Sequence, residues 1–197
     1  MTAGAYAAQR QVVRQAVSSI KPFDLLEQLH QADALDWINS DATLCRWQKP
    51  DKPPQHLVVY GVVLSPDAGQ VLLVDHHQAQ KWLPPGGHVE AGENPAVTVE
   101  RELGEELRLS AHWWPGLSQR PLFVIRTITV GLTAGHTDVT LWYAVTAPMD
   151  EALWFDTAEF RSVRWFGARD LAGLEPSQYE PHLLRFMSKH QALRSIG

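Results

Sequence analysis

Three glutamates in one short segment, Glu102, Glu105 and Glu106, have the spacing best suited to chemistry. If the segment is a helix, a rotation of about 100° per residue places all three within an arc of about 100°. Like charges three or four residues apart destabilise a helix by about 0.2–0.5 kcal/mol per pair. Gly104 in the same turn costs about 1 kcal/mol more relative to alanine. The arrangement therefore weakens the helix unless a partner compensates for it.

A hard divalent cation would remove this electrostatic conflict. Carboxylate oxygens on adjacent helical turns can chelate Mg²⁺, while water and phosphate oxygens fill its other positions. Upstream, the segment that starts at Lys81 joins a proline-stiffened chain to two glycines, Gly86 and Gly87. Such a loop lets the backbone approach a bound ion or phosphate, and it can offer a carbonyl as a ligand. The alternative is that the glutamates form only a solvated acidic face.

The segment GGHVEAGENPAVTVERELGEELRL, which begins at Gly86, resembles the box of the Nudix hydrolase family. The family pattern is a glycine, five residues, a glutamate, seven residues, and then Arg-Glu-aliphatic-any-Glu-Glu-any-Gly-aliphatic. The positions that match this pattern in order are Gly87, Glu93, Arg101, Glu102, Leu103, Glu105, Glu106 and Leu109. Arg108 departs from it, because it stands where the box has its last glycine. That glycine usually ends the helix in a left-handed conformation. At Arg108 we therefore expect either about 1 kcal/mol of backbone strain or a different conformation at the end of the helix.

The resemblance implies both a metal site and a set of catalytic residues. The ligands of Mg²⁺, or of Mn²⁺ in its place, would be Glu102, Glu105, Glu106 and the carbonyl of Gly86. The catalytic set would be Glu93, Arg101, Glu102 and Glu105, in which the first two form an ion pair that orients the loop and the helix. A metal-activated water would attack phosphorus, and either Glu102 or Glu105 would accept its proton. The expected reaction is hydrolysis of the diphosphate linkage of a nucleoside diphosphate derivative or a nucleoside triphosphate.

Two alternatives from other classes of protein compete with this interpretation. The first is a catalytically silent protein that keeps the fold and binds or senses a nucleotide, which the complete set of acidic residues disfavours. The second is the isomerase branch of the same fold, which needs a catalytic cysteine in the core. Cys45 precedes the expected domain in the context Leu-Cys-Arg-Trp, which is typical of a packed small hydrophobic residue.

Three further side chains are candidates for contact with the substrate. Trp82 lies next to the glycines and could stack on a base, although packing in the core is the alternative. His136 and Asp138 are two residues apart on a predicted strand edge and so share a face. They could pair and contact the substrate, or they could be an ordinary surface pair. His88 has no partner at a zinc-ligand spacing, so we interpret it as a loop residue or as a group that supports the residues of the site.

Composition excludes several other classes of function. A formal net charge of -5 provides no global positive field for a nucleic-acid polymer or an anionic membrane. The partner that the resemblance implies is a small nucleotide-type diphosphate. Cys45 is the only cysteine, which excludes an intrachain disulfide and favours a reducing compartment, and we predict a cytoplasmic location. Arg10 and Arg14 interrupt the apolar stretch that a secretory signal needs. The longest apolar run, at 57–64, is much shorter than the roughly 20 residues that span a bilayer.

The glutamates must be positioned by a helix and a sheet. Asn94 followed by Pro95 predicts the start of that helix, and an apolar stripe follows at Ala96, Val99, Leu103 and Leu107. Val- and Leu-rich runs predict strands at 56–64, 71–75, 122–130, 139–145 and 161–166, and a last helix is predicted at 181–193. The alternation of elements, together with the resemblance, predicts a Nudix-like α/β/α sandwich with a mixed sheet.

The first fifty residues lie outside the resemblance and are predicted to form a helical extension. Pro22 separates two amphipathic segments, and Asp24 followed by Glu27 has the spacing of a capping box. A stripe on the second segment must be covered, either by the same chain or in a possible homodimer: Leu25, Leu26, Leu29 and Leu35. The prolines at 48–55 predict a linker without regular hydrogen-bonded structure. This divides the chain into an extension, 1–50, and a Nudix domain, 51–197.

Overall fold

Eight β-strands form one sheet in the computed structural model, which describes residues 3–49, 52–133, 135–150 and 153–195. In chain order they are β1 (Gln55–Leu64), β2 (Gln70–His76), β3 (Lys81–Leu83), β4 (Gly86–His88), β5 (His112–Trp113), β6 (Phe123–Ile128), β7 (Thr137–Thr146) and β8 (Phe160–Gly167). The order β3-β2-β1-β7-β5 forms the main path, while β4 pairs with β1, β6 with β7 and β8 with β2. The central pair β1 and β7 is parallel, and the remaining strand pairings in the described parts of the chain are antiparallel. The sheet is therefore mixed, as the sequence predicts.

Helices flank this sheet. They are α1 (Ala3–Ser19), α2 (Leu25–Asn39), α3 (Pro95–Leu107), α4 (Ala168–Ala172) and α5 (Leu183–Arg194). The five predicted strands and the predicted last helix are all present, with ends that differ by one or two residues. The sequence does not predict β3, β4, β5 or α4, because elements of two to five residues carry too little periodicity.

Alternate residues of the central strands face two separate hydrophobic cores. In β1, Leu57 and Val59 belong to the first core, whereas Val62 and Leu64 belong to the second. Helices α1, α2 and α3 contribute buried residues to the first core, and α4 and α5 contribute to the second. This division follows from the two-residue period of a strand. It confirms the α/β/α sandwich.

The N-terminal helices are packed on the sheet. Val13 and Val17 of α1 and Ile38 of α2 are fully buried in the first core, together with Leu57 of β1. Cys45 is buried in the same core, as the sequence predicts. The helical extension and the sheet therefore share one continuous apolar interior.

The first turn of α2 is capped and also binds α5. The Asp24 side chain accepts a hydrogen bond from the Glu27 amide at 2.8 Å, and the Glu27 side chain accepts one from the amide of the residue before Asp24 at 2.6 Å. Glu27 also pairs with Lys189 at 2.6 Å, and both side chains are buried. Arg185 donates to both carboxylate oxygens of Asp24 at 2.9 and 2.5 Å. Two ion pairs thus connect the N-terminal helices to the last helix.

The predicted leucine stripe of α2 is only partly covered by the chain itself. Leu35 packs against the first core, but Leu25 is 71% exposed and Leu29 is 54% exposed. Within the residues that the structure describes, none of the helices has the length and apolar character that crossing a bilayer requires.

The predicted linker contains more hydrogen bonding than the sequence suggests. Pro50 and Asp51 lie outside the described residues. On either side of them, Gln48 and Lys52 form an isolated antiparallel bridge, with the Lys52 amide 3.0 Å from the Gln48 carbonyl oxygen. The prediction of no regular hydrogen-bonded structure is wrong for this pair, because neither residue is a proline and both keep their amide donors.

Candidate active site

Helix α3 is fixed at its start by a cap and along its length by apolar packing. The Asn94 side chain accepts a hydrogen bond from the Ala96 amide at 3.0 Å, and Pro95 occupies the first helical position. The stripe predicted to face the core is buried, with at most 2% of each residue exposed: Ala96, Val99, Leu103 and Leu107. A Cβ on Gly61 of β1 would lie 3.0 Å from the Val99 side chain, so the helix lies very close to the central strand.

Helix α3 ends at Arg108 in the left-handed conformation. Arg108 has φ 54° and ψ 28°, and its amide donates to the Gly104 carbonyl at 3.2 Å. The next amide, that of Leu109, donates to the Leu103 carbonyl at 3.0 Å. The Arg108 guanidinium lies 4.1 Å from the centre of the Trp154 ring. Of the two helix ends expected from the sequence, the structure shows the strained left-handed conformation at Arg108. The cation–π contact with Trp154 helps to stabilise this conformation.

Arg101 lies at the centre of the acidic residues. Its Nε and Nη2 bind the two oxygens of Glu93 at 3.0 and 3.1 Å, which is a bidentate ion pair. Its Nη1 lies 2.8 Å from Glu102 Oε1 and 3.2 Å from Glu105 Oε2. Its Nη2 also donates to the backbone carbonyl of His88 at 3.1 Å. One guanidinium thus joins the loop, helix α3 and strand β4.

Glu93 is held by the loop as well as by Arg101. Its carboxylate accepts hydrogen bonds from the Glu90 amide at 3.0 Å and from the Thr98 hydroxyl at 2.8 Å. Burial raises the pKa of this carboxyl, but the hydrogen bonds from Arg101 and the Glu90 amide outweigh burial and hold the pKa below its usual value. Glu93 is therefore ionised and rigid, which suits a residue that orients the loop.

The two glycines of β4 allow the backbone to approach the glutamates. Gly86 has φ +149°, and a Cβ there would lie 2.1 Å from the Val59 carbonyl oxygen. A Cβ on Gly87 would lie 2.4 Å from Glu102 Oε1. The Gly86 amide donates to Glu106 Oε2 at 3.0 Å. Neither position has space for a side chain, which explains both glycines physically.

The carboxylates of α3 differ in their surroundings. Glu106 is 6% exposed, and burial, followed by repulsion from Glu102 and Glu159, raises its pKa well above the usual value. Burial also raises the pKa of Glu102, and Arg101 only partly offsets this effect. The side chain of Glu105 is 64% exposed. The repulsion among these groups is the conflict that a cation would relieve, and carboxylate oxygens are donors that suit Mg²⁺ or Mn²⁺.

Glu159 is a fourth carboxylate near this group, and the sequence analysis missed it. It raises the pKa of both Glu102 and Glu106 by repulsion. Its backbone is held in the turn before β8, where its amide donates to the Asp156 carbonyl at 3.2 Å and its carbonyl accepts from the His77 amide at 2.9 Å. The only signal in the sequence is an acidic residue just before a predicted strand, which is common in turns.

The three candidate substrate residues lie on the other face of the sheet. Trp82 packs against the second core, with its ring 4.7 Å from that of Phe166 in an edge-to-face arrangement. His136 Nε2 lies 3.4 Å from Asp138 Oδ1, so the predicted pair is close in space. Asp138 shares its strand face with Trp142 of the second core. The structure thus separates these residues from the glutamates, which lie on the face covered by α3.

Two further histidines join His136 and Asp138. His56 Nε2 lies 3.2 Å from Asp138 Oδ1 and 3.0 Å from His88 Nε2. Burial, followed by the nearby charges of Arg46 and His56, lowers the pKa of His88 to about 3. His88 lies in strand β4 and not in a loop, because the pairing of β4 with β1 brings it to His56. Its carbonyl accepts a hydrogen bond from Arg101, which agrees with the alternative of a supporting group. The sequence indicates only the His136–Asp138 pair of this cluster, since the members are up to 82 residues apart.

Comparison with known proteins assigns most of the chain to one family. The sequence profile described as "NUDIX domain" matches residues 54–188. A curated protein of Mycobacterium tuberculosis named "Putative 8-oxo-dGTP diphosphatase 3" is 28% identical over 155 residues, and the same match is found in two strains. The alignment covers 73% of this chain and 64% of that protein. The chain therefore spans less than two thirds of the length of the curated relatives it matches.

Solved structures share the fold. A hydrolase of the NUDIX family from Clostridium perfringens superimposes with a TM-score of 0.56 at 21% identity, covering 70% of this chain and 97% of that one. An Ap4A hydrolase of C. elegans, in a binary complex, superimposes with a TM-score of 0.55 at 14% identity, covering 72% and 98% of the two chains. At these identities the similarity shows the fold alone.

Proposed function

The chain belongs to the NUDIX domain family, and from this premise we propose that it is a metal-dependent hydrolase of a nucleotide-type diphosphate. The substrate class is a nucleoside diphosphate derivative or a nucleoside triphosphate, and the bond cleaved lies within the phosphate chain. The name of the curated relatives, a diphosphatase of an oxidised nucleotide, supports this class. The single observation that carries the proposal is the grouping of three α3 glutamates, two of which contact the glycines of β4 while Glu105 shares Arg101 with Glu102.

The proposed metal is Mg²⁺, with Mn²⁺ as the alternative, and its ligands would be Glu102, Glu105, Glu106 and the Gly86 carbonyl. When bound, the ion would neutralise phosphate oxygens and lower the pKa of a coordinated water. The donor set supports this choice, because it offers oxygen ligands and includes a buried carboxylate, Glu106, next to other acidic groups. Glu159 adds negative charge that would strengthen the attraction for a cation.

The remaining roles follow from the positions of the side chains. Glu93 and Arg101 hold the loop against α3, since their bidentate pair also reaches the His88 carbonyl. Either Glu102 or Glu105 would accept the proton of the attacking water. Glu102 is held by Arg101 and packed on Gly87, whereas Glu105 is exposed and keeps one contact at 3.2 Å. Contact of Trp82, His136 and Asp138 with the substrate stays a proposal that would require the substrate to reach the opposite face of the sheet. For His136 and Asp138 it competes with the metal site proposed below.

Mutation of the α3 glutamates tests the proposal. Glu105→Gln and Glu106→Gln should each remove most Mg²⁺-dependent turnover, because an amide is a weaker metal ligand, while the fold stays intact. Turnover is measured as phosphate or pyrophosphate release from a panel of oxidised nucleoside triphosphates, nucleotide sugars, dinucleotides and isoprenoid diphosphates. The matched control is Glu100→Gln on the same helix, where the exposed carboxylate contacts only Gln119 among the described residues. Unchanged rates in both site variants would refute the assignment.

The same panel separates the silent binding protein from the enzyme. A chain that binds a nucleotide tightly in the presence of Mg²⁺ but releases neither phosphate nor pyrophosphate from any member would be a binding protein. The complete set of box glutamates favours the enzyme.

The division into an extension, 1–50, and a NUDIX domain, 51–197, is also a proposal. The family match begins at residue 54, which supports this boundary. The shared first core means that the extension packs as part of the same body. A cytoplasmic location and a homodimer formed through the exposed leucines of α2 stay predictions.

A further inference from the structure

Three histidines and one aspartate converge at the beginning of the central strands. His56 lies in β1, His88 at the end of β4, and Asp138 in β7 directly opposite His56 in the parallel register, with His136 just before β7. One ligand atom from each of the four side chains lies within 4.8 Å of all the others. His56 and His136 are buried, and the other two are partly buried. Such a concentration of imidazoles is unusual in an apolar interior.

Three of the six separations between ligand atoms are close to those around a small metal ion, and the other pairs lie within 4.8 Å. Zn²⁺ binds imidazole nitrogen at about 2.0–2.1 Å, which separates tetrahedral ligands by roughly 3.3 Å. His88 Nε2 lies 3.0 Å from His56 Nε2, and Asp138 Oδ1 lies 3.2 Å from His56 Nε2 and 3.4 Å from His136 Nε2. The three distances bracket the expected value.

The hydrogen bonds on the far side of two rings prepare them to bind a metal. His56 Nδ1 lies 3.0 Å from the Pro53 carbonyl oxygen, which can only accept a hydrogen bond, so Nδ1 carries the proton. His136 Nδ1 lies 3.1 Å from the Thr129 hydroxyl, which itself donates to the His136 carbonyl. Both contacts use Nδ1, and both Nε2 atoms lie on the side of Asp138. Metal-bound histidines are oriented in this way by a partner of the other ring nitrogen.

The carboxylate of this cluster has a buried oxygen that a cation could stabilise. Asp138 Oδ1 is buried, and within the described parts of the chain no donor is aligned on it as a hydrogen bond. Its neighbours are His56 Nε2 at 3.2 Å and His136 Nε2 at 3.4 Å. A buried carboxylate oxygen without an aligned donor is costly, and an ion bound between these side chains would stabilise it.

We propose that His56, His88, His136 and Asp138 form a binding site for a divalent transition-metal ion of the zinc class. Imidazole nitrogens favour such ions over Mg²⁺, which prefers oxygen ligands. Four protein ligands fill a tetrahedral shell, which is the pattern of a structural site rather than a catalytic one. The ion would tie β1, β4 and β7 together at one end of the sheet.

This site is distinct from the proposed glutamate site. The Cβ direction of Gly87 points to Glu102 on the side of α3, so the next residue, His88, points to the opposite face. The two sites also differ in chemistry, because one offers nitrogen ligands and the other only oxygen. They can therefore be tested separately, and failure of one leaves the other intact.

Cobalt spectroscopy of the 197-residue chain tests the proposal. Chelator-treated protein is titrated with Co²⁺ in excess Mg²⁺, which saturates oxygen-only sites. We expect one Co²⁺ per chain, with visible absorption bands of a nitrogen-ligated ion that disappear on addition of Zn²⁺. His88→Gln and Asp138→Asn should each weaken Co²⁺ binding at least about tenfold and alter the bands. His112→Gln, at an exposed histidine, and Glu105→Gln, in the glutamate site, should leave both unchanged.

Three outcomes would overturn the assignment. The first is Co²⁺ binding to His88→Gln and Asp138→Asn that equals binding to the wild type. The second is the absence of Co²⁺ bands from the wild type. The third, which does not depend on any variant folding, is a zinc X-ray absorption spectrum of the wild-type protein that shows an oxygen-only shell in place of imidazole scattering.

Discussion

Replacing Gly87 by alanine should damage the proposed chemistry while sparing the fold. A Cβ at this position would lie 2.4 Å from Glu102 Oε1 and 2.6 Å from the carboxylate carbon, at the far end of a flexible side chain. Ordinary van der Waals contact begins near 3.4 Å, so the carboxylate must move by about 1 Å. A displacement of this size in a reacting group can cost about a hundredfold in rate, or roughly 2.7 kcal/mol of transition-state stabilisation.

The stability change expected for Gly87→Ala is small. The displaced carboxylate loses its 2.8 Å contact with Arg101, an ion pair that is partly exposed and worth about 0.2–1 kcal/mol. Alanine is favoured over glycine in a strand by roughly 0.5–1 kcal/mol, which offsets this loss. The net change in the free energy of unfolding should therefore lie within about 1 kcal/mol of zero.

Gly86→Ala is the matched comparison, because the neighbouring glycine meets backbone instead of a side chain. Its φ of +149° is strained for alanine, and its Cβ would lie 2.1 Å from the Val59 carbonyl oxygen. The strained conformation alone costs about 1–3 kcal/mol, and relief of the clash requires β4 to separate from β1. This variant should unfold at clearly lower urea concentration than the wild type.

Urea unfolding and Mg²⁺-dependent turnover of the best substrate in the panel are measured for both glycine variants. The reasoning is refuted if Gly87→Ala keeps wild-type turnover, since the carboxylate would then not need its position. It is equally refuted if Gly87→Ala loses as much stability as Gly86→Ala, since the contact with Glu102 would then be part of the framework of the fold.

Two further predictions concern the N-terminal helices. Gln9→Ala should lower the free energy of unfolding by about 1–3 kcal/mol and speed amide exchange at Gly92. The reason is that the buried Gln9 side chain binds the Glu90 and Glu93 carbonyls at 2.8 Å and the Gly92 amide at 3.0 Å. The control is Gln11→Ala at an exposed position of α1, and equal effects of the two variants would contradict the role of these contacts. Glu27→Met and Lys189→Met should each cost about 3–5 kcal/mol in urea unfolding, because each leaves a buried charge without its partner, whereas the double variant should cost less than either. Additive losses in that cycle would show that the pair is not coupled.

The sequence predicts helix α3 well because its determinants are local. The cap at Asn94, the proline after it and the apolar stripe all lie within the helix or next to it, and the structure shows each one. The left-handed exit at Arg108 was one of two expected outcomes. The contact of its guanidinium with Trp154 could not be predicted, because Trp154 lies in a separate part of the chain.

The histidine cluster could not be predicted because it depends on strand register. His56 and Asp138 meet only because β1 and β7 pair in parallel with these residues opposite each other. A shift of one residue would turn one of them to the other face of the sheet. Glu159 is similar, since the turn before β8 brings it near α3 from more than fifty residues away. Local pattern does not encode either contact.

Strand β4 shows how three residues can serve two faces of a sheet at once. Gly86 and Gly87 lack side chains: the backbone of β1 occupies the space at Gly86, and the Glu102 carboxylate occupies the space at Gly87. His88 follows them and must point away from α3, towards His56, because successive residues of a strand alternate. Its carbonyl nevertheless accepts a hydrogen bond from Arg101, which also binds Glu93, Glu102 and Glu105. An interaction that holds the His88 ring in place therefore also holds the His88 carbonyl, which accepts a hydrogen bond from Arg101. The histidine cluster and the acidic residues are connected in this way, although they lie on opposite faces of the sheet.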